Sequence, residues 1–176
     1  MGAVDCVATL TMNPAIDSSC EAETVSPTHK IRTHGGRYDP GGGGLNVARV
    51  LHRFGAPTEA IYMSGGPTGA LLDGLLDLAG LQRQAVPMHD QVRMSLAVYE
   101  RSTGQEYRFV PEGPCLSVTE AEAAVGIAKA ELEPGHVVTT SQIDFSELKP
   151  EDGLLPIYPE RSLDETELSK FMRAGG

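Results

Sequence analysis

The sequence has few cysteines, no excess of positive charge and no long apolar run. Its three cysteines, Cys6, Cys20 and Cys115, are an odd number without the CxxC spacing of a zinc site, which predicts reduced thiols in a cytoplasm. The net charge of −10 argues against nucleic acid or an anionic membrane surface as a partner, because both need a concentrated positive face. No apolar stretch approaches the ~20 residues of a membrane span, and the first residues lack the pattern of a secretion signal. We expect a cytoplasmic protein without a zinc site.

A run of four glycines at 41–44 is the most informative feature that is present. Glycine runs usually form linkers or turns, but apolar residues follow this one at helical spacing from Leu45 on: Val47, Val50, Leu51 and Phe54. The spacing predicts a helix that begins at the glycines and buries this stripe. The first N–H groups of a helix have no partner within it, and glycines let a ligand approach the backbone, so we expect a polar or anionic small molecule there. Asn46 would bind hydroxyls of the ligand or cap the helix.

Strand, glycine turn and helix recur along the chain, which indicates a parallel sheet of βαβ units. Strands are predicted at 4–11, 60–63 and 137–140, and a helix after Gly65 should bury five apolar residues: Leu71, Leu72, Leu75, Leu76 and Ala79. The polar segment 21–39 contains a strand-like stretch at 29–33, and 91–110 reads as a hairpin that turns at 101–104. Ser117 and Glu120 have capping-box spacing, which predicts a further helix.

The glycine run belongs to a longer motif. Gly-Gly-Gly-x-Asn-x-Ala, followed by Gly55 and Gly65, resembles the first signature of the PfkB carbohydrate kinases, the ribokinase-like family. Residues 9–17 are similar to the first strand of that family and the loop after it, and 107–110 to a later strand. Within the family, residues 40–49 look most like kinases of fructose 6-phosphate, with kinases of fructose 1-phosphate and tagatose 6-phosphate as close competitors. The resemblance covers residues 4–140.

The resemblance implies an α/β fold: a ribokinase-like three-layer sandwich with a mostly parallel sheet and a small β lid. Residues 1–140 would be the N-terminal part of a PfkB kinase domain, with lid segments at 21–39 and 91–110. Residues 141–176 have no counterpart in the family; they form an acidic tail with prolines, and one short helix is predicted at 162–172. The expected fold is truncated, and a third possibility is that it is not stable, because a sheet cut after about half its strands exposes an apolar edge.

Seven residues are candidate ligands of a sugar phosphate: Asp17, Lys30, Arg32, Gly41, Gly42, Asn46 and Arg93. Asp17 follows the first strand, where α/β sheets place their ligands, and its carboxylate would accept bonds from two hydroxyls or form an Asx turn or cap. The resemblance implies the first role and matches Arg93 to a phosphate-contacting arginine, with Lys30 and Arg32 as further phosphate contacts. Without the resemblance, two cations on a strand more often mark a solvated edge. Arg108 is a weaker candidate.

The resemblance also implies a reaction. Kinases of this family transfer the γ-phosphoryl group of MgATP to a sugar hydroxyl, by positioning and charge stabilisation. Their nucleotide site and base belong to a Gly-Ala-Gly-Asp segment that does not occur in this sequence, and no GxxxxGK[ST] motif replaces it, so no catalytic, nucleotide-binding or metal-binding residue is assigned. Two hypotheses follow: the sugar-binding half of an ATP-dependent 6-phosphofructokinase-like kinase, or a non-catalytic sugar-phosphate-binding or interaction module. The family also implies a homodimer through the lid strands.

Overall fold

A five-stranded sheet, in which every neighbouring pair is parallel, forms the centre of the fold. The computed structural model describes residues 6–130, 136–140 and 154–156. The strands of this sheet are β1 (Cys6–Thr11), β4 (Thr58–Ser64), β5 (Gln82–Pro87), β8 (His136–Thr140) and β9 (Leu154–Pro156), in the order β5-β4-β1-β8-β9. Four successive residues of β1, from Ala8 to Thr11, are buried, as expected of a central parallel strand that is covered on both faces.

Three helices cover the two faces of this sheet: α1 (Gly43–Arg53), α2 (Gly66–Leu78) and α3 (Val118–Ala130). In sequence, α1 precedes β4, α2 joins β4 to β5, and α3 precedes β8. Since crossovers between parallel strands are right-handed, this order places α1 and α2 on one face and α3 on the other. The predicted three-layer α/β arrangement is confirmed.

A second sheet of four strands carries several of the predicted site residues. Its strands are β2 (Ala15–Ala22), β3 (Thr33–Gly41), β6 (Arg93–Glu100) and β7 (Glu106–Phe109), in the order β3-β2-β6-β7. The strand β2 pairs antiparallel with β3 and parallel with β6, and β6 and β7 form the predicted hairpin. We call these four strands the lid sheet.

The glycine run opens a helix as predicted, but the buried stripe of α1 was predicted correctly only in part. Its buried residues are Gly44, Leu45 and Ala48, whereas Val50 and Phe54 are 51% and 85% exposed. The start of α1 presses on β1, where a Cβ added to Gly44 would lie 2.8 Å from the carbonyl oxygen of Leu10. Gly44, Leu45 and Ala48 are therefore packed inward, whereas Val50 and Phe54 point away from the sheet.

The other two helices follow the sequence pattern more closely. In α2, Leu72 and Leu76 are fully buried, although Leu71 and Ala79, which were expected to be inward, are exposed. The capping box of α3 is present: Glu120 accepts a hydrogen bond from the Ser117 N–H at 2.7 Å, and the Ser117 hydroxyl accepts one from the Glu120 N–H at 3.3 Å. Local signals were sufficient to place both helix starts.

Two segments before α1 differ from the prediction. Residues 29–33 were predicted as a strand, but residues 29–32 follow a turn at Pro27 and Thr28 and do not belong to a strand. Pairing of β3 with β2 begins at Thr33, which lies opposite Ala22. Lys30 and Arg32 therefore lie in the loop between β2 and β3. The segment containing Asp17 was expected to be a loop and is the strand β2, so an Asx turn or a helix cap at this residue is ruled out.

Some predictions concern residues outside the described part of the chain. These are the first residues of the strand predicted from residue 4, most of the tail 141–176, and the helix at 162–172. The strand β5, in contrast, was not predicted from the sequence. Its segment has a polar beginning, Gln82 to Gln84, which hides the strand pattern.

Candidate functional site

Asp17 lies in the middle of the lid sheet, between two polar neighbours. Its partner across the antiparallel pair is Asp39 on β3, and its partner across the parallel pair is Ser95 on β6. The Ser95 hydroxyl donates a hydrogen bond to Oδ1 of Asp17. One carboxylate oxygen of Asp17 is thus held by the protein, which fixes the orientation of the group.

The glycines after β3 bring the backbone close to this carboxylate. A Cβ added to Gly41 would overlap Oδ2 of Asp17 and lie 2.6 Å from its Cγ. Gly42 has φ 111° and precedes α1, and a Cβ added there would lie 2.8 Å from the side chain of Thr11. Only residues without a side chain fit at these two positions, so the run is a tightly packed junction and not a linker.

Asn46 lies in the first turn of α1, beyond this junction. Its backbone N–H donates to the carbonyl oxygen of Gly42 at 2.9 Å. The backbone N–H groups that precede Asn46 in the helix therefore have no partner within the helix. The side chain of Asn46 is exposed. The structure therefore brings the Asp17 carboxylate, the Gly41–Gly42 backbone and the start of α1 into one region.

An open cavity of about 290 Å³ adjoins Asp17 on the lid sheet. Its polar lining comes from all four strands and from α1: Asp17, Ser18, Ser19, Arg37, Asp39, Arg49, Ser95 and Arg108. Asp39 pairs with the guanidinium groups of Arg37 at 2.6 Å and Arg49 at 3.5 Å. Arg49 also donates to the carbonyl oxygen of Pro40 at 2.8 Å, which ties α1 to the end of β3.

The predicted phosphate ligands do not line this cavity. Arg93 lies on β6 two residues before Ser95, where it donates to the carbonyl oxygen of Pro111 at 3.2 Å. Its Nε is buried, with no hydrogen-bond partner within the described ranges. Lys30 and Arg32 line a separate cavity of about 460 Å³ together with His29.

A buried glutamate connects the lid hairpin to the loop that carries Lys30 and Arg32. Glu100, at the end of β6, accepts hydrogen bonds from the hydroxyl of Thr103, from the Val25 N–H at 2.6 Å and from the Tyr107 hydroxyl at 3.2 Å. The bond from Thr103, followed by that from Val25, holds the pKa of Glu100 below its usual value. Glu100 was missed by the sequence analysis, since nothing in a hairpin sequence shows that it faces the preceding loop.

Ser95, Arg37 and Arg49 were missed as well. No local motif marks them, because their relation to Asp17 depends on how β2 pairs with β3 and β6. The residues described in 6–130 contain no group of three His, Cys, Asp or Glu side chains arranged to hold a metal ion. None of the helices in the described part of the chain is long and apolar enough to cross a membrane.

The parallel sheet, its helices and the lid sheet define a ribokinase-like α/β fold. A family model described as "pfkB family carbohydrate kinase" matches residues 7–154. This chain belongs to the PfkB family of carbohydrate kinases.

Named relatives are consistent with that assignment. The chain is 43% identical over 141 residues to the ATP-dependent 6-phosphofructokinase isozyme 2 of Mycobacterium tuberculosis, covering 73% of this chain and 42% of the relative. It is 37% identical over 112 residues to the Escherichia coli isozyme 2, covering 64% and 36%. The crystal structure of phosphofructokinase-2 from Escherichia coli in complex with fructose-6-phosphate superimposes with a TM-score of 0.72 and 31% identity, over 96% of this chain and 50% of that one. The chain thus spans about two fifths of the length of the curated relatives.

Proposed function

We propose that this chain binds a sugar phosphate, fructose 6-phosphate, as the sugar-binding part of an ATP-dependent 6-phosphofructokinase-type kinase. The proposal depends on the environment of the Asp17 carboxylate. Ser95 holds Oδ1, and the lack of a side chain at Gly41 lets Oδ2 lie against the backbone at the glycine start of a helix. A fixed carboxylate that lines an open cavity is suited to accept hydrogen bonds from sugar hydroxyls. Fructose 6-phosphate is proposed as the substrate and ATP as the phosphoryl donor because the names of the relatives contain them.

The remaining predicted residues have distinct roles in this proposal. The backbone at Gly41 and Gly42 lets the sugar approach closely, and the exposed amide of Asn46 adds a donor and an acceptor. Arg93, with Lys30 and Arg32 on the lid loop, would contact the phosphate, because cations at these positions give charge-assisted hydrogen bonds. MgATP is the family's co-substrate and supplies the phosphoryl group; no residue of this chain is assigned to it.

Calorimetric titration of the chain with fructose 6-phosphate tests the binding role. We expect binding by the native chain and a loss of roughly 30-fold or more on Asp17→Ala, since a hydrogen bond to a charged group contributes about 1.5–3 kcal/mol. Glu122→Ala, at an exposed position on α3, removes one carboxylate elsewhere and should leave the affinity unchanged. Equal affinity in native chain and Asp17→Ala would refute the assignment.

The exposed face of the lid sheet supports a second part of the proposal, a homodimer. Tyr38, Ser18, Leu96 and Phe109 are aligned across the four strands, at positions that alternate with the row of Asp39, Asp17 and Ser95, and Ser18 and Leu96 also line the 290 Å³ cavity. Three of these four are large apolar or aromatic side chains that are exposed. A second copy of the same surface would bury them, as in a two-fold symmetric interface.

The absence of a Gly-Ala-Gly-Asp segment from the sequence keeps the non-catalytic module as the second candidate function. Release of ADP from MgATP, measured with the purified chain and fructose 6-phosphate, separates the two. Turnover supports the kinase, whereas binding of fructose 6-phosphate without turnover supports the module. A cytoplasmic location is part of the same proposal and is supported by the thiols of Cys20 and Cys115, neither of which forms a disulfide.

A further inference from the structure

The loop 23–32, which joins β2 to β3, is attached to the rest of the molecule near its beginning. Within the described residues, its hydrogen bonds to other segments go to the last residue of β6 and to the turn that joins β6 to β7. The Val25 N–H donates to Oε1 of Glu100 at 2.6 Å. The carbonyl oxygen of Glu23 accepts from the Ser102 N–H at 3.1 Å. Val25 is therefore the last attached residue of the loop before β3 begins. We call its hydrogen bond to Glu100 the loop anchor.

Glu100 is held by the hairpin as well as by the loop. Only 3% of this residue is exposed, and its Oε2 accepts from the hydroxyl of Thr103 and, at 3.2 Å, from the hydroxyl of Tyr107. Both donors belong to the hairpin, so they fix the carboxylate there and leave Oε1 to the loop. Hydrogen bonds to a carboxylate are stronger than those between neutral groups. The side chain of Glu100 therefore connects the hairpin firmly to the loop.

The turn that follows the loop anchor is strained. Thr28 has φ 66°, the one positive value among the non-glycine residues that the structure describes, and a β-branched residue is disfavoured in this conformation. Such a conformation persists only where the surrounding structure imposes it. The loop anchor lies three residues before Thr28, and the pairing of β3 begins five residues after it. Loss of the loop anchor would leave the strained turn restrained from one side only.

The positions of the two cations on this loop depend on its conformation. Lys30 and Arg32 are exposed and line the cavity of about 460 Å³. Every residue that lines this cavity belongs to the loop 23–32. Because the lining includes no residue of a strand or helix, the shape of the cavity follows that of the loop.

We propose that Glu100 is a positioning residue, which holds Lys30 and Arg32 in place by means of the loop anchor. The inference rests on the proposed function in one respect, since it is the binding of a sugar phosphate that requires these cations to be in place. A carboxylate repels a phosphate group, so Glu100 acts through the loop and makes no contact with the ligand itself.

Hydrogen exchange of the backbone amides, measured by mass spectrometry on the full chain, tests the loop anchor without any ligand. In the native chain, the Val25 amide should exchange more slowly than the amides of residues 29–32, for which the structure shows no backbone N–H bond. Equal exchange at these positions would overturn the proposal. This comparison needs no variant and does not depend on the folding of one.

Glu100→Met keeps the length of the side chain and removes the acceptor of the loop anchor. We expect the Val25 amide to exchange about tenfold faster or more in this variant, because a local opening no longer breaks a charge-assisted bond. Tyr107→Phe is the matched control, since it removes one hydrogen bond from the same carboxylate and leaves the loop anchor. It should exchange like the native chain. Native exchange at Val25 in Glu100→Met, shown to be folded by far-UV circular dichroism, would overturn the proposal.

A double-mutant cycle tests the effect on the cations, with calorimetric titration of fructose 6-phosphate as the readout. Glu100→Met should weaken binding roughly 3- to 10-fold, the scale of one lost hydrogen bond. In the K30Q/R32Q background it should cause no further loss, because the cations that Glu100 positions are absent there. Glu100→Gln retains an acceptor for the Val25 N–H and should restore most of the affinity. An equal loss in both backgrounds would show that Glu100 acts by another route and would overturn the positioning role.

The two measurements also separate this inference from the proposed function. No binding of fructose 6-phosphate by the native chain, with faster exchange at Val25 in Glu100→Met, would overturn the proposed function and leave the loop anchor standing. Native binding that is lost in Asp17→Ala, with unchanged exchange at Val25 in Glu100→Met, would overturn the loop anchor and leave the proposed function standing.

Discussion

Ser95 donates a hydrogen bond to Asp17 across a parallel pair of lid strands, although the two residues are 78 positions apart in the sequence. Oδ1 of Asp17 is thereby occupied by the protein, and the carboxylate cannot rotate without breaking the bond. The orientation of the proposed sugar ligand therefore depends on the pairing of β2 with β6. A defect in this pairing would change the site without changing any residue that contacts the sugar.

Ser95→Ala removes this donor and leaves the fold intact. We expect fructose 6-phosphate to bind roughly tenfold more weakly, because a hydrogen bond to a charged group contributes about 1.5–3 kcal/mol and water replaces part of it. Ser95→Thr keeps the hydroxyl and should restore most of the affinity. Calorimetric titration of both variants is the measurement, and equal affinities of Ser95→Ala and the native chain would contradict the positioning role.

Gly41→Ala places a Cβ where Oδ2 of Asp17 now lies. The carboxylate must move, so we expect fructose 6-phosphate binding to fall below detection and the free energy of unfolding to drop by about 1–3 kcal/mol, the usual cost of overpacking. Gly126→Ala is the matched control, because a Cβ at this position in α3 meets no atom within 4 Å. The control should raise stability by about 0.5–1 kcal/mol. Both variants are measured by urea unfolding and by calorimetric titration with fructose 6-phosphate. Native affinity in Gly41→Ala would contradict the claim that a Cβ at position 41 displaces the Asp17 carboxylate.

The parts of the fold that the sequence predicted are those determined by residues close together in the chain. The glycine start of α1, the 91–110 hairpin and the Ser117–Glu120 capping box each depend on fewer than about 20 consecutive residues. The partners of Asp17 could not be found this way, because their position depends on strand register between distant segments. The buried face of α1 was predicted only in part, for a related reason. Gly44 and Ala48 carry no apolar signal, yet only such small residues allow the helix to approach β1 closely.

The pH dependence of stability should reveal the buried carboxylate of Glu100. Its folded-state pKa lies below the unfolded value, owing first to the hydrogen bond from Thr103. Such a group stabilises the fold at a pH above its unfolded pKa, and the stabilisation is lost as the pH falls through the folded pKa. Glu100→Gln keeps the shape and removes the titration. We expect its melting temperature to fall less steeply than that of the native chain between pH 5 and pH 3; parallel curves would show that Glu100 makes no such contribution.

The aligned residues Tyr38, Leu96 and Phe109 predict how a single charge affects the association of two copies. Leu96 is central in this exposed row and lies opposite Phe109 on β7, so Leu96→Glu would place a carboxylate inside the proposed interface, where it would have to be desolvated. We expect the native chain to elute with the mass of two copies in light scattering after gel filtration, and Leu96→Glu with the mass of one. Leu78→Glu is the control, because Leu78 is an exposed leucine at the end of α2, outside the lid sheet. An interface through the lid sheet is disrupted by Leu96→Glu and not by Leu78→Glu. If both variants dissociate, or if neither does, the interface lies elsewhere.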